Sequence, residues 1–388
     1  MRNIKISGTT RNVTPVYAGE NHQPIIIASL GASNVNDSLE LEIKKAKRAE
    51  SLGASIITDH TLLDNLDYVQ ECIAQEVGIP FSVISVYEAA VRARKNNMIM
   101  RVDEMLRMIE QQAKRGADLL TLHATAFKDD IHLLHETKRV IPCTSRGGTM
   151  MLEILNASNE ENPYWTYFDD ILDIAQHYNL SISLGTCFRP ASVYDCAQNN
   201  DLYFMEMQRM RQLVEKADNK NVGVIIEGIG HAPLNKIENI VKETKKVCHN
   251  APYRVLTVAT DIAIGYDHIS SAIASANAVY HGADMITCVS RSEHVGLPSI
   301  EDMSEAIIAA KIAAYTGYSA RINNFERDRD MSFARNQSGC GGQIELAIYP
   351  EGAKEALRSR KYVDGRKECS MCGDFCALDA NERLLKEE

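Results

Sequence analysis

The sequence predicts an α/β protein: a (β/α)8 TIM-type barrel followed by a short C-terminal segment with three clustered cysteines. Three observations lead there. Short β-rich runs alternate with longer helical patterns along most of the chain. Most of the short runs are continuously apolar, as parallel strands covered on both faces are. Eight such runs can be counted, the number that closes this kind of barrel.

In chain order the strand runs are residues 25–30, 55–59, 81–87, 118–123, 181–186, 222–227, 255–260 and 285–289. A weaker ninth run at 140–144 leaves the count open. Helical patterns fall at 38–52, 99–115, 201–217, 234–247 and 270–281, and residues 301–318 read as a final helix. Strand-then-helix order, repeated, argues for a parallel sheet. Residues 1–320 are assigned to the barrel, which holds the substrate and metal site. Residues 321–342 are polar, charged and glycine-containing, and read as a linker. Residues 343–388 form the C-terminal segment, which ends in a charged tail.

The chain has 388 residues, 45% hydrophobic and 24% charged, which is ordinary for a globular protein with a substantial core. A formal net charge of −10 argues against a nucleic-acid partner, since phosphate binding needs a basic face. No apolar run approaches the ~20 residues of a membrane span. The first ten residues lack the apolar stretch of a signal peptide, so a cytoplasmic protein is expected. In such a chain ten cysteines point to metal or redox use rather than disulfides. Cys72, Cys143, Cys187, Cys196, Cys248, Cys288 and Cys340 are scattered, and most read as small buried hydrophobes.

Chemistry-bearing residues collect where strand runs end. Asp59-His60 follows one run, Tyr87 ends another and His123 a third. Thr186 closes the fifth, with Arg189 three residues on. Glu227 ends the sixth, followed by His231; Asp261 follows the seventh, and His294 lies beyond the eighth. Barrel enzymes build their sites at the carboxyl ends of strands, so these side chains can converge on one mouth. Loops are polar in any protein, which accounts for any one of these residues but poorly for a set so rich in His, Arg and Glu.

Ser145-Arg146-Gly147-Gly148 precedes a helical run at 149–155. The glycines permit close backbone approach, a helix N-terminus offers free N–H groups, and Arg146 adds a bidentate donor, so a phosphate fits here. An ordinary loop explains the same residues. His231 and His294 sit in Gly/Pro loops and are candidates to share a metal ion, with His268 as a rival. A solvated or structural role is the plainer reading of any lone histidine.

Cys369-x2-Cys372-x3-Cys376 places three thiols within eight residues. Zinc would need a fourth ligand, from Cys340 or a histidine. A [4Fe–4S] cluster takes three cysteines and leaves one iron open. That open iron can bind S-adenosylmethionine, whose reductive cleavage gives a 5′-deoxyadenosyl radical.

These residues resemble the phosphomethylpyrimidine synthase family in collinear order from about Ser29 to Leu378. The matching stretches include Leu122-His123-Ala124, Ser145-Arg146-Gly147-Gly148, Ser183-Leu184-Gly185, Arg189-Pro190, Ile226-Glu227-Gly228, Gly230-His231, Thr260-Asp261-Ile262-Ala263, Gly265-Tyr266-Asp267-His268-Ile269, Glu293-His294-Val295-Gly296-Leu297-Pro298 and Cys369-Ser370-Met371-Cys372-Gly373. The resemblance implies a barrel homodimer in which each subunit's cluster segment reaches its partner's site. It implies a radical S-adenosylmethionine lyase acting on 5-aminoimidazole ribotide, with an electron donor such as ferredoxin or flavodoxin. A sister group makes 5-hydroxybenzimidazole from the same ribotide. By position, Ser29, Thr58, Tyr87, His123, Ser145, Arg146, Gly147, Thr186, Arg189 and Glu227 would bind substrate, with Glu227 also an acid/base candidate. His231 and His294 would hold a divalent metal such as zinc, and Cys369, Cys372 and Cys376 the cluster.

This chain also departs from the family. Ser29 stands for an Asn and Thr58 for a Met, and an Asp-Gly-Leu-Arg stretch becomes Thr186-Cys187-Phe188-Arg189. Ile229 and Ile264 replace prolines, and a family tyrosine falls near Tyr253 beside a one-residue deletion. The last cysteine gap is one residue short, and residues 1–24 do not match the family's lead-in. Hydrogen-bonding pockets discriminate strongly, so a changed substrate or product is expected, phosphorylated but with a different body. Two readings outside the class are a zinc-dependent barrel hydrolase and a non-catalytic nucleotide sensor.

Overall fold

The structure is a computed structural model that describes residues 3–33, 38–95, 101–358, 371–372 and 375–386. The chain divides into two compact units, Met1–Arg321 and Ile322–Glu388.

The first unit opens with an antiparallel pair, β1 (Ile4–Ile6) and β2 (Val16–Ala18). Eight parallel strands follow: β3 (Ile25–Leu30), β4 (Ile56–Asp59), β5 (Phe81–Ile84), β6 (Leu119–Leu122), β7 (Ser181–Leu184), β8 (Val224–Glu227), β9 (Tyr253–Val255) and β10 (Met285–Thr287). They close in sequence order, with β10 pairing β3, which makes the predicted barrel. Almost every strand residue is buried, because helices cover the outside while side chains fill the inside.

The predicted helices form with small shifts. Leu39–Ser51 starts where the Ser38 side chain accepts from the Leu41 N–H, a cap that satisfies one orphan donor. Leu234–Val247 has the expected bounds, and Asp201–Asn219, Asp267–Tyr280 and Ile300–Ile322 each differ by a few residues. Among the described residues no helix is long and apolar enough to cross a membrane.

Four expectations need correction. Residues 140–144 are not a ninth strand: the Val140 and Ile141 N–H groups bond the Asp195 carboxylate at 2.7 and 3.2 Å instead of a neighbouring strand. The run at 255–260 begins earlier, as β9, and its later part is loop. The run at 81–87 ends at Ile84, so Tyr87 lies in the first turn of the helix Ser85–Lys95 rather than at a strand end. Most of the supposed linker at 321–342 is helix, Glu326–Gly342, whose polar composition disguised it because its described side chains are not buried. The second unit also contains the helices Pro350–Arg358 and Ala377–Lys386.

The β1–β2 pair, absent from the sequence reading, closes the amino-terminal end of the barrel. Ile4, Ile6 and Ala18 join Ile25, Ile27, Ile56, Leu119, Ile225 and Met285 in one buried cluster. Arg11 ties the chain after β1 to the barrel wall, donating to the Val77, Ile79 and Gly116 carbonyls at 2.9, 3.1 and 2.9 Å and pairing with Asp118 at 2.5 Å. Asp118 also accepts from the Gly8 and Phe81 N–H groups at 2.7 and 2.9 Å.

Candidate active site

At the opposite end, the strands deliver most of the predicted residues to one mouth. The centre is an ion pair. Arg189 Nη1 donates to Glu227 Oε1 and, at 3.0 Å, to Thr186 Oγ1, which lies 3.4 Å from the same carboxylate oxygen. Glu227 is 6% exposed at the last position of β8. Burial pushes its pKa up, but Arg189, Arg254 and His123, with the Thr186 hydroxyl, outweigh that and hold it below the ordinary carboxylate value. Glu227 is therefore a carboxylate that can accept a proton or a hydrogen bond, not a stored acid.

His123 lies beyond the end of β6 and is clamped by two glycines. A Cβ on Gly147 would fall 2.2 Å from its Cε1, and one on Gly185 2.7 Å from its Nε2, so larger residues at either place would displace the imidazole. Burial, with Arg189 and Arg254 nearby, depresses the His123 pKa to about 4. Its Nδ1 is buried without a hydrogen-bond partner among the described residues. His60 behaves likewise: burial, then Arg146, Arg254 and Arg189, take its pKa to about 3, and its Nε2 has no such partner. The preceding Asp59 turns the other way, accepting from Thr61 and Gln70 at 2.6 and 3.1 Å, and burial raises its pKa to about 6.

The Ser-Arg-Gly-Gly stretch is a helix start. The helix is Arg146–Ser158, earlier than the run at 149–155, and the buried Ser145 Oγ accepts from the Gly148 N–H at 3.0 Å. Other first-turn N–H groups have no acceptor within the helix, which suits an anion. Arg146 is exposed, its guanidinium 5.8 Å from the Tyr87 ring centre. Tyr87 is 4% exposed, and burial raises its pKa above the usual phenol value, so it stays a neutral donor. Ser29 on β3 lies in register with Thr58 on β4, whose Oγ1 is buried with no partner among the described residues.

His231 and His294 come together, with ring centres 5.3 Å apart. His231 Nδ1 contacts Asp261 Oδ1 at 2.6 Å, and His294 Nδ1 contacts Asp267 Oδ1 at 2.9 Å. A carboxylate on one ring nitrogen fixes the other, here Nε2, as the acceptor or metal-binding atom. Burial lowers the His231 pKa, which keeps that nitrogen free of a proton. His268, the rival, has no hydrogen-bond partner for Nδ1 among the described residues and is not the ring beside His231. No cluster of three or more metal-binding side chains occurs among the described residues, so the pair by itself leaves coordination positions open.

Among the cluster cysteines, Cys372 is exposed and Cys376 partly buried, and both are free. The Phe375 N–H bonds the Cys372 carbonyl at 3.1 Å, and Cys376 immediately precedes the helix Ala377–Lys386. Cys369 lies outside the described residues. Cys187, Cys196, Cys248 and Cys288 are buried, as expected of small hydrophobes, while Cys72 and Cys143 are partly exposed.

The sequence reading missed Arg254. Tyr253, where a family tyrosine was expected, points away from the mouth: its hydroxyl meets the Tyr203 hydroxyl at 2.8 Å and takes the Ile229 N–H at 3.1 Å. Strand side chains alternate, so the neighbour Arg254 faces inward. A charge within a strand buried on both faces was the available signal.

The model of the Radical SAM ThiC family matches residues 3–383. A phosphomethylpyrimidine synthase from Methanocaldococcus jannaschii is 38% identical over 99% of this chain and 91% of its own length. One from Carboxydothermus hydrogenoformans is 39% identical over 96% of this chain and 88% of its own. Phosphomethylpyrimidine synthase 2 of Methanosarcina barkeri is 36% identical over 97% and 87%. With a barrel whose mouth assembles the expected side chains and a match over almost its whole length, this chain belongs to the Radical SAM ThiC family.

Proposed function

We propose that the protein is a radical S-adenosylmethionine lyase that rearranges 5-aminoimidazole ribotide or a closely related phosphorylated ribotide, the type of reaction for which its relatives are named. One observation carries the reading: the mouth is divided by chemistry. Arg146 and the Ser145-capped helix start offer an anion site, while ionised Glu227 and the neutral His123 and His60 offer proton acceptors and donors to the body of a substrate. In this reading Ser145, Arg146, Gly147 and Arg189 hold the phosphate, and Ser29, Thr58, Tyr87, His123 and Thr186 surround the rest.

The free thiols of Cys372 and Cys376 suit a thiolate-bound cluster, completed by Cys369. When bound, a [4Fe–4S] cluster supplies the electron that cleaves S-adenosylmethionine, drawn from a donor of the ferredoxin or flavodoxin type. The paired imidazoles of His231 and His294, each backed by a carboxylate, suit a divalent cation, zinc by ligand type, which would supply fixed positive charge. The reading includes a cytoplasmic homodimer with exchanged cluster segments.

A second reading within the class is a paralogue that makes 5-hydroxybenzimidazole or another product. The Thr58 hydroxyl, unpartnered among the described residues, favours it, because that position presents a hydrogen-bonding group where the family has a thioether. Anaerobic incubation with S-adenosylmethionine, dithionite and 5-aminoimidazole ribotide, with products identified by mass spectrometry, tests both. 5′-Deoxyadenosine with a phosphorylated pyrimidine supports the first reading; with a different product, it supports the second. A colourless protein holding one zinc on its cysteines and forming no 5′-deoxyadenosine overturns both. Cys372→Ala is expected to abolish the ~400 nm absorbance of a cysteine-ligated cluster, and retained absorbance with activity would refute the ligand assignment.

A further inference from the structure

Arg254 has no role in the site so far. It is 3% exposed and stands beside Glu227 in the register of β8 and β9. Its Nε donates to Thr287 Oγ1 on β10 at 2.7 Å, and its Nη1 is buried with no hydrogen-bond partner among the described residues. Among the described residues no carboxylate lies within ion-pair distance of it. Most other buried or nearly buried cations are paired with a carboxylate: Lys45 with Glu42 at 2.8 Å, Lys245 with Asp284 at 2.6 Å, Arg11 with Asp118 and Arg209 with Asp130, both at 2.5 Å; Arg139 instead donates to the Pro142 and Phe188 carbonyls at 3.0 and 2.7 Å. The Glu227 charge favours the Arg254 cation, but the two are not within ion-pair distance, and the Glu227 Oε1 takes Arg189 and Thr186.

An arginine does not escape burial by losing its proton, so an unpaired one is a standing cost to the fold. Such costs persist where a ligand removes them. Thr287 occupies the Nε edge, which leaves Nη1 to donate to an anion, and a guanidinium pairs well with a carboxylate. The Thr58, Ser82, Thr121 and Ser183 hydroxyls on β4 to β7 are also buried and unpartnered among the described residues, so the barrel interior offers further donors.

We propose that Arg254 anchors a second anion subsite inside the barrel, which binds a carboxylate on the ring of the substrate while Arg146 and Arg189 hold the phosphate. This rests on the ribotide reading above and deepens it: the substrate class becomes a ribotide whose heterocycle carries a carboxylate. Arg254 is a binding and specificity residue, with no covalent step assigned to it.

The test uses anaerobically purified full-length protein, wild type, Arg254→Met and Arg254→Lys, and calorimetric titration with three probes. These are 5-aminoimidazole ribotide, its 4-carboxylate, and the 4-carboxylated nucleoside without phosphate. Wild type is expected to bind the carboxylated ribotide at least about tenfold tighter than the plain one, as a charge-assisted hydrogen bond implies. Arg254→Met should bring that ratio close to one, with Arg254→Lys between. Without ligand, Arg254→Met should melt no lower than wild type, because it removes an unpaired buried charge; a clear drop would assign Arg254 a structural role and overturn the proposal. Equal binding of both ribotides by wild type, or an unchanged ratio in Arg254→Met, also overturns the subsite while leaving the ribotide reading in place. Arg254-dependent binding of the carboxylated nucleoside, with no gain from phosphate, keeps the subsite and removes the ribotide reading. Wild type that binds none of the three overturns both.

Discussion

The two ends of the barrel are built on opposite terms. At the amino-terminal end, Ile4 and Ile6 from β1 press on Ile27, Leu119 and Ile225, and the Arg11 guanidinium is matched by four carbonyls, those of Ala74, Val77, Ile79 and Gly116, and by Asp118. At the carboxyl-terminal end, His60 Nε2, His123 Nδ1, Thr58 Oγ1, Arg189 Nε and Arg254 Nη1 are buried without partners among the described residues. Buried polar groups are satisfied almost everywhere in folded proteins, so a concentration of orphans marks where a ligand belongs. One end stabilises the barrel and the other accepts instability in exchange for recognition.

Substitutions can break this contrast, the largest effect coming first. Ile225→Ala, at a position with no exposure, should cost about 2–5 kcal/mol in chemical denaturation through the cavity it leaves, while the folded fraction keeps its ribotide affinity. Lost affinity at equal folded fraction would show that the two ends are coupled.

The next effect is a pH dependence from the mouth. The folded pKa of His123, about 4, lies below its unfolded value near 6.5, so the unfolded chain binds more protons between those limits. Its stabilising share is complete above pH ~6.5 and is lost as pH falls toward 4, about 3 kcal/mol in all. His60 adds the same sign over a slightly wider range. His123→Asn should flatten stability against pH by about one proton, and an unchanged slope would mean that His123 is solvated and charged.

Arg146→Ala should weaken a phosphorylated ligand by about 1.5–3 kcal/mol and its dephosphorylated nucleoside much less, with the melting temperature unmoved because Arg146 is exposed. Equal loss for both ligands would remove the phosphate role. The smallest effect belongs to Asn179→Ala at the plugged end. It removes the 2.6 Å bond from Nδ2 to the Ser7 carbonyl and puts alanine at φ 53°, for about 1 kcal/mol of stability and no change in binding.

Much of this protein was legible along the chain. Parallel strands buried on both faces must be apolar runs, so seven of the eight barrel strands overlap their expected positions closely, and the eighth, β9, touches its expected run only at Val255. Strand ends rich in His, Arg and Glu marked the mouth, and His231 and His294 do meet. Other features were not legible. The β1–β2 plug has only three residues per strand, too few for a pattern to show. The helix Glu326–Gly342 lacks an apolar face, and composition alone cannot tell a solvated helix from a linker.

The amino-acid order by itself determined the barrel, the inventory of chemistry at its mouth and the kinship of the chain, because hydrophobic period and motif order are local properties. Only the tertiary structure decided what each charge faces. It gave Arg189 to Glu227, an aspartate to each of His231 and His294, and, among the described residues, nothing to the Arg254 Nη1. Pairing depends on which strand neighbours which and on the inward or outward phase of a single residue. A one-position choice such as Tyr253 out and Arg254 in follows from barrel closure, not from composition.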